Sequence, residues 1–254
     1  MPVLDRDGIG IYYEVAGPVN ERTPLLLTHG YSASAAMWSP NLPALSTDRR
    51  VITWDIRGHG RSDAPDDLAR YSEALSVEDM AALLDLIGAE RAVVGGLSLG
   101  GYLSLAFHLR FPARVTALVL CDTGPGYRRD EPRAQWNATV ERRAANFEQR
   151  GFDALGGSPE VVASEHRSAA GLARAARGIM AQHDSRVIDS LPSISVPALV
   201  LVGADDAPFL AAADVMAAKI PAATKVILDG AGHAANIDQP EAFDRAVLAF
   251  LETL

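Results

Sequence analysis

Runs of four to seven mostly apolar residues alternate with longer segments of mixed polarity along most of the chain. Such runs are typical of strands buried on both faces of a sheet. The longer segments repeat apolar residues at helical spacing, and one of them predicts a helix over residues 76–86 with Ser76 as its N-cap. We expect strands near residues 24–28, 51–54, 91–94, 117–120, 196–202 and 224–228. This alternation predicts an α/β fold: a mostly parallel central sheet with helices on both faces.

Two regions depart from the alternation. At the start of the chain, an Asp7-Gly8 turn separates residues 9–15 from a short strand near Val3, which predicts an antiparallel hairpin. Residues 123–191 contain no strand-like run and are rich in Ala, Arg and Glu, which predicts several short helices. We therefore expect a core formed by residues 1–122 and 192–254, with a small helical cap inserted over residues 123–191.

Charge and cysteine content narrow the function classes. The 254 residues carry 23 Lys and Arg against 32 Asp and Glu, a net charge of -9, which argues against nucleic acid as a partner. The first residues do not resemble a signal peptide, and no apolar stretch approaches the ~18 residues that span a bilayer. The single cysteine, Cys121, excludes an intramolecular disulfide and fits a reducing compartment. We expect a cytoplasmic protein with no membrane partner.

A glycine-rich turn at residues 96–100 carries the first candidate chemistry. Its sequence, Gly-Leu-Ser-Leu-Gly, places Ser98 between a predicted strand and a predicted helix, the setting of a nucleophile elbow. The glycines let neighbouring segments approach without a Cβ clash, and backbone N–H groups at the helix start can stabilise an oxyanion. Taken alone, the stretch equally fits a glycine-rich turn with a serine N-cap.

Further reactive side chains occur where other predicted strands end. These residues are His29, Asp55, Asp122, Asp206 and His233. In open parallel sheets, ligands bind at the carboxyl edge of the strands. The order Ser98, Asp206, His233 is the chain order of a catalytic triad built on a nucleophile elbow.

These segments together resemble the α/β-hydrolase fold family, especially its esterases, lactonases and haloperoxidase-like enzymes. The resemblance covers nearly the whole chain and is weakest over residues 123–191. It is carried by His29-Gly30-Tyr31 and by residues 55–62, 96–101, 201–206 and 230–233. Residues 233–243 closely resemble those of 3-oxoadipate enol-lactonases. The resemblance implies an α/β-hydrolase fold with the predicted sheet and cap.

The resemblance also implies roles for the reactive residues. Ser98 would be the nucleophile, and His233 the base that takes its proton and returns it to the leaving group. In the family's G-x-x-D pattern the second carboxylate orients the histidine, which favours Asp206. Asp205 and Asp122 stay open as alternatives. The backbone N–H groups of Tyr31 and Leu99 would form the oxyanion hole.

Apolar and aromatic residues near the predicted cap are candidate walls of a substrate pocket. They are Trp38, Tyr127, Trp136, Met180 and Phe209. No group of residues has the spacing of a metal site, and no nucleotide-binding motif follows the first strand, so we expect no metal and no cofactor.

The remaining polar residues are interpreted as structural. We expect an ion pair between Arg57 and Asp55 to fix the loop after the second buried strand. His29 and His59 would support turns, whereas His108, His166 and His183 would lie on helices at the surface or in the cap.

The sequence thus predicts a cofactor-free serine hydrolase that acts on a small carboxylic ester or lactone through an acyl-enzyme. A hydrolase that cleaves carbon–carbon bonds of ring-cleavage products uses the same triad and is the enzymatic alternative. A non-catalytic receptor for a small molecule is the alternative from another class, because some receptors keep this fold and its triad.

Overall fold

One eight-stranded sheet forms the centre of the protein. The computed structural model describes residues 1–254. The strands are β1 (Val3–Asp5), β2 (Gly10–Ala16), β3 (Leu25–Thr28), β4 (Val51–Trp54), β5 (Ala92–Leu97), β6 (Val115–Cys121), β7 (Ala198–Gly203) and β8 (Ala223–Leu228). Their spatial order is β1-β2-β4-β3-β5-β6-β7-β8.

The sheet is parallel apart from its first two strands. β2 pairs antiparallel with both β1 and β4, and all other neighbours pair in parallel. Val3 lies opposite Tyr12 in the first pair, so the predicted N-terminal hairpin is confirmed. The parallel strands end at one edge of the sheet, and the loops after β3, β5, β6, β7 and β8 therefore meet there.

Ten α-helices connect and cover the strands. They are α1 (Leu42–Leu45), α2 (Glu73–Leu86), α3 (Leu99–Arg110), α4 (Asp130–Arg150), α5 (Pro159–Val162), α6 (Ala169–Ala175), α7 (Arg186–Ser190), α8 (Ala207–Lys219), α9 (Ala235–Asp238) and α10 (Pro240–Leu251). A five-residue π-helix, Ala176–Met180, continues α6. The helices include none with the length and apolar character needed to cross a membrane.

The strands bury side chains on both faces, as their apolar runs predict. Leu118 and Leu120 of β6 belong to a core cluster shared with α2, α3 and α8, whereas Val119 belongs to a second cluster shared with α10. Successive side chains of a strand point to opposite faces, so each cluster covers one face of the sheet. The predicted doubly covered sheet is confirmed.

The start of α2 differs from the prediction. The N-cap is Ser72, whose backbone is extended and whose hydroxyl accepts a hydrogen bond from the N–H of Leu75. Ser76 lies one turn inside the helix, where its hydroxyl donates to the carbonyl of Ser72. Because Ser72 also fits the pattern of a capping residue, the choice of Ser76 as the N-cap placed the predicted start one turn too late.

Helices occupy the stretch between β6 and β7, as the sequence predicts, but α4 has 21 residues and is longer than the short helices expected. We call residues 123–191, which contain α4 to α7, the helical segment. Its long helix α4 packs against α6 and the π-helix. The division of the chain into a core and a cap stays a prediction.

Candidate active site

Ser98 occupies a strained turn between β5 and α3. Its backbone has φ 55° and ψ -113°, a conformation that a residue with a side chain rarely adopts. The turn needs glycine on both sides: a Cβ on Gly96 would lie 2.5 Å from the carbonyl oxygen of Thr28, and one on Gly100 would lie 2.1 Å from it. The glycine pattern of the sequence therefore corresponds to a real steric requirement at this turn.

Two backbone N–H groups lie beside Ser98 without a partner. Leu99 is the first residue of α3, where a helix cannot satisfy its own N–H groups. Tyr31 follows Gly30, which lies close to Ser98: a Cβ added to Gly30 would be 3.4 Å from the Cβ of Ser98. Neither the Leu99 nor the Tyr31 N–H donates to a group within the chain. Both amides can therefore donate to a negatively charged oxygen next to Ser98.

His166 connects the helical segment to the loop that carries Tyr31. Its Nε2 lies 3.0 Å from the carbonyl oxygen of Ser32, and the N–H of Gly60 donates to its Nδ1 at 3.0 Å. This pair of contacts requires a neutral imidazole with its proton on Nε2. The interpretation of His166 as a helical residue is wrong, because it lies in the loop between α5 and α6. The hydroxyl of Tyr31 adds a second link by donating to the carbonyl of Leu172 at 3.0 Å.

Asp206 and His233 form a hydrogen-bonded pair. The Nδ1 atom of His233 lies 2.8 Å from a carboxylate oxygen of Asp206, which is 5% exposed. Asp205 is exposed to solvent and makes no contact of this kind. Among the three candidate carboxylates, the structure therefore brings Asp206 to the ring of His233.

The pKa of His233 is set by opposing effects. Burial lowers it, whereas the hydrogen bond and the negative charge of Asp206 raise it, and the net pKa lies above the ordinary value. The hydroxyl of Ser98 makes no hydrogen bond to His233. Hydrogen bonds between a nucleophile and its base are commonly long without substrate and tighten when substrate binds.

Asp122 adjoins Asp206 at the end of β6. One of its oxygens accepts a hydrogen bond from the N–H of Gly203 at 2.8 Å, and its other oxygen is buried. Burial raises the pKa of Asp122 to about 8, and hydrogen bonding to Asp206 acts in the same direction. The sequence places Asp122 at the correct edge of the sheet but does not indicate that its carboxyl group is buried against Gly203, close to Asp206.

The five candidate pocket residues separate into different places. The ring of Phe209 stacks on His233, with ring centroids 4.9 Å apart. Tyr127 packs against Trp136, and the Trp136 indole donates to the carbonyl of Met180 at 3.0 Å, within the helical segment. Trp38 lies in the core: it is fully buried and packs against Phe243 on the α10 face of the sheet, so it serves packing rather than a pocket.

The expected ion pair between Arg57 and Asp55 is wrong. Arg57 binds the carboxylate of Asp79 instead, with contacts of 2.6 and 2.8 Å between fully buried groups. Asp55 accepts hydrogen bonds from the N–H groups of Ala35 and Arg61. The missed partner lies on α2, and the sequence gives no signal that this helix faces Arg57.

Comparison with known proteins identifies a family and relatives that match nearly the full length of the chain. The alpha/beta hydrolase fold family matches residues 23–156. A protein provisionally named carbamate hydrolase RutD, from Caulobacter sp. (strain K31), is 31% identical over 95% of this chain and 96% of its own length. The structure of a thermophilic esterase from Thermogutta terrifontis has a TM-score of 0.85 and 29% identity, covering 99% of this chain and 96% of the esterase.

A lactonase structure is also similar over nearly the whole chain. The enol-lactonase from Burkholderia xenovorans LB400 has a TM-score of 0.79 and 28% identity, and the match covers 99% of this chain and 100% of the lactonase. These relatives support hydrolase activity in a chain with this site. The family match covers more than half of the chain, and the sheet order and the strained turn at Ser98 are in keeping with it. The chain belongs to the alpha/beta hydrolase fold family.

Proposed function

We propose that this protein is a serine hydrolase that cleaves a small carboxylic ester or lactone through an acyl-enzyme. Ser98 is the nucleophile, His233 the general base and Asp206 the carboxylate that orients the base. The observation that carries the proposal is the strained turn that presents Ser98 beside two free backbone N–H groups. A turn with only a structural role would have no use for this strain, which costs of order 1–3 kcal/mol.

The first half of the reaction acylates Ser98. As its oxygen attacks the carbonyl carbon of the substrate, the serine proton moves to Nε2 of His233. The carbonyl oxygen becomes an oxyanion and accepts hydrogen bonds from the N–H groups of Tyr31 and Leu99. When the intermediate collapses, the bond to the leaving oxygen breaks, and that oxygen takes the proton from His233.

The second half releases the acid. A water molecule gives a proton to His233 and attacks the acyl carbon, the same amides hold the new oxyanion, and the proton returns to Ser98 as the acyl bond breaks. Asp206 acts throughout by fixing the Nδ1–H tautomer and by stabilising the imidazolium. Beyond the substrate itself, the two steps use only these protein groups and one water molecule, whose oxygen ends in the acid.

The ester or lactone class is supported by the similar structures. An esterase and an enol-lactonase both match almost the full length of the chain. Attack on a carbamate carbonyl would use the same groups, and the relative named for that reaction makes carbamates a necessary comparison substrate. A lactone differs from an open ester in one respect: its leaving oxygen stays attached to the acyl group.

The test compares hydrolysis of p-nitrophenyl esters of increasing acyl length by the wild type and by Ser98→Ala. We expect turnover that falls by several orders of magnitude in the variant, because the residual rate depends on binding and the oxyanion hole alone. Ser104→Ala is the matched control, since Ser104 is a buried serine on α3 whose hydroxyl donates to the carbonyl of Gly100. Equal, near-background rates in the wild type and Ser98→Ala would count against esterase activity.

A second measurement separates substrate classes. An enol-lactone, an open ester of the same acid and a carbamate are supplied in parallel, and kcat/KM is compared among them. Preference for the lactone or the ester supports the proposal. Preference for the carbamate would keep the mechanism and replace the substrate class.

A further inference from the structure

Two buried carboxyl groups meet next to His233. Asp122 is fully buried and Asp206 is 5% exposed, and both contact Gly203: its N–H donates to Asp122 at 2.8 Å, and its carbonyl oxygen accepts from the N–H of Asp206 at 3.1 Å. One oxygen of each already has a partner: the N–H of Gly203 for Asp122 and the ring of His233 for Asp206. The second oxygen of Asp122 is buried and receives no hydrogen bond from an N–H or hydroxyl group.

The surroundings do not compensate two negative charges at this place. The groups that act most strongly on Asp122 include no lysine or arginine; they are the N–H of Gly203, His233 and Asp206. The adjacent Cys121 is a fully buried thiol whose pKa is raised by burial, so it stays neutral and cannot offset a negative charge. Glu160 of α5 adds a further negative charge near His233. Two carboxylates in contact at low dielectric cannot both stay ionised without strong repulsion.

We propose that Asp122 carries a proton at neutral pH and donates it as a hydrogen bond to Asp206, which makes Asp122 a positioning residue for the carboxylate that holds His233. A proton on Asp122 removes the second buried negative charge. It also supplies a hydrogen-bond donor between the two carboxyl groups. Burial, which raises the pKa of Asp122, acts in the same direction. The catalytic consequence rests on the proposed function, whereas the protonation itself does not.

The consequence for the site is orientation. Asp206 lies in the loop after β7, and in the proposed arrangement the contact with His233 and the hydrogen bond from Asp122 hold its carboxylate from two sides. Asp122 is in turn fixed by β7 through the N–H of Gly203. The protonated carboxyl group thus links the ends of β6 and β7 to the base.

Infrared spectroscopy tests the protonation of Asp122 without an activity measurement. Ser98→Ala and Ser98→Ala/Asp122→Asn are compared in D₂O at neutral pH, and difference spectra are recorded in the carbonyl region of protonated carboxylic acids. We expect a band in the single variant that the double variant lacks and that disappears as the pH is raised. Absence of any band that depends on Asp122 overturns the proposal, whether or not the protein hydrolyses esters.

The pH dependence of kcat/KM tests the positioning role. In Asp122→Asn the amide still donates to Asp206 and its oxygen still accepts from Gly203, so the acid limb set by His233 should keep its position. If Asp122 were ionised, the substitution would remove a negative charge, lower the pKa of His233 and move that limb to lower pH, which overturns the proposal.

Asp122→Leu replaces the proposed hydrogen-bond donor with an apolar side chain of similar volume. Loss of a hydrogen bond to a charged group predicts a fall in kcat of about 10- to 100-fold, with KM little changed. Wild-type kcat in a folded Asp122→Leu variant would overturn the positioning role. Should the leucine variant fail to fold, the pH profile of Asp122→Asn and its infrared band decide the question. Loss of activity in Ser98→Ala tests the proposed function separately.

Discussion

The ring of Phe209 lies stacked on the imidazole of His233, with centroids 4.9 Å apart and planes inclined by 29°. Phe209 lies in the first turn of α8, and Asp206 is the residue before that helix. One short stretch of chain therefore contacts the edge of the imidazole through a carboxylate and its face through an aromatic ring. The two contacts together restrict both the tilt and the rotation of the proposed base.

Phe209→Ala should lower kcat more than it changes KM. Without the stacked ring, His233 can tilt away from Ser98, and a misplacement of about 1 Å can cost up to about 100-fold in rate. Phe209→Leu retains apolar volume and should fall between the alanine variant and the wild type. The measurement is steady-state kinetics on a p-nitrophenyl ester, with Phe152→Ala, at a half-exposed phenylalanine of the helical segment, as the control. A kcat equal to that of the control would show that the stacking has no catalytic use.

The acid limb of kcat/KM should lie above the ordinary histidine pKa of 6.5. Burial lowers the pKa of His233, but the hydrogen bond and charge of Asp206 raise it, and the net pKa lies above the ordinary value. The base works only when neutral, so activity should be lost as the pH falls through this raised value. Asp206→Asn removes the charge, which should move the limb to lower pH and reduce kcat by up to about 10⁴-fold.

Asp205→Asn provides the matched control for this profile. Asp205 is the adjacent carboxylate and is exposed, so its removal should leave both the limb and kcat near the wild-type values. A limb that shifts equally in Asp205→Asn and Asp206→Asn would mean that general surface charge, rather than the contact with Asp206, sets the pKa of His233.

The sequence predicted those features that depend on local structure. The apolar runs locate the strands because a strand covered on both faces needs apolar side chains at every position. The turn at Ser98 is recognisable because its backbone leaves no room for a Cβ at positions 96 and 100. Only glycine fits there, so the steric requirement is visible in the sequence. The order of Ser98, Asp206 and His233 follows from the topology of the sheet.

Features that depend on packing between distant segments could not be predicted. The partner of Arg57 lies 22 positions away on α2, and His166 reaches Ser32 across 134 positions. Trp38 is a candidate pocket wall by its residue type and its predicted position near the cap, but the packing of α10 places it in the core. Residue type shows what a side chain can do, whereas contacts of this range are decided by the arrangement of the elements.

Loss of Asp79 should destabilise the protein strongly. Its carboxylate is fully buried and binds Arg57, which is also buried, and Arg6 at 3.1 Å. Asp79→Ala leaves the guanidinium of Arg57 buried without its partner, which typically costs about 3–5 kcal/mol. Asp85→Ala is the control on the same helix, because Asp85 pairs with Arg114 at the surface and such pairs contribute about 0–1 kcal/mol. Urea denaturation of both variants measures the difference in free energy of unfolding, and similar losses would refute a special role for the buried pair.

A group of three buried histidines should contribute stability that is lost in acid. His59 packs between His29 and His166, with ring centroids 5.1 and 6.0 Å apart. Burial lowers the pKa of His29 to about 3 and holds the pKa values of His59 and His166 below the ordinary value. At these three histidines the unfolded chain therefore binds more protons than the folded protein once the pH falls below about 6.5.

The three histidines should accordingly contribute most to stability above pH 6.5 and lose that contribution as the solution becomes more acidic, whereas the raised pKa of Asp122 acts in the opposite direction. For His29 alone the loss at pH 5 is about 2 kcal/mol relative to neutral pH, from about 1.4 kcal/mol per unit below its unfolded pKa. His166→Gln removes one of the three titrating groups, so its free energy of unfolding should change less between pH 7 and pH 5 than that of the wild type, even if its stability at pH 7 is lower. His183→Gln, at an exposed position of the helical segment, should keep the wild-type dependence. Urea denaturation at both pH values decides the matter: an equal pH dependence in His166→Gln and His183→Gln would show that the link between the helical segment and Ser32 does not depend on a neutral imidazole.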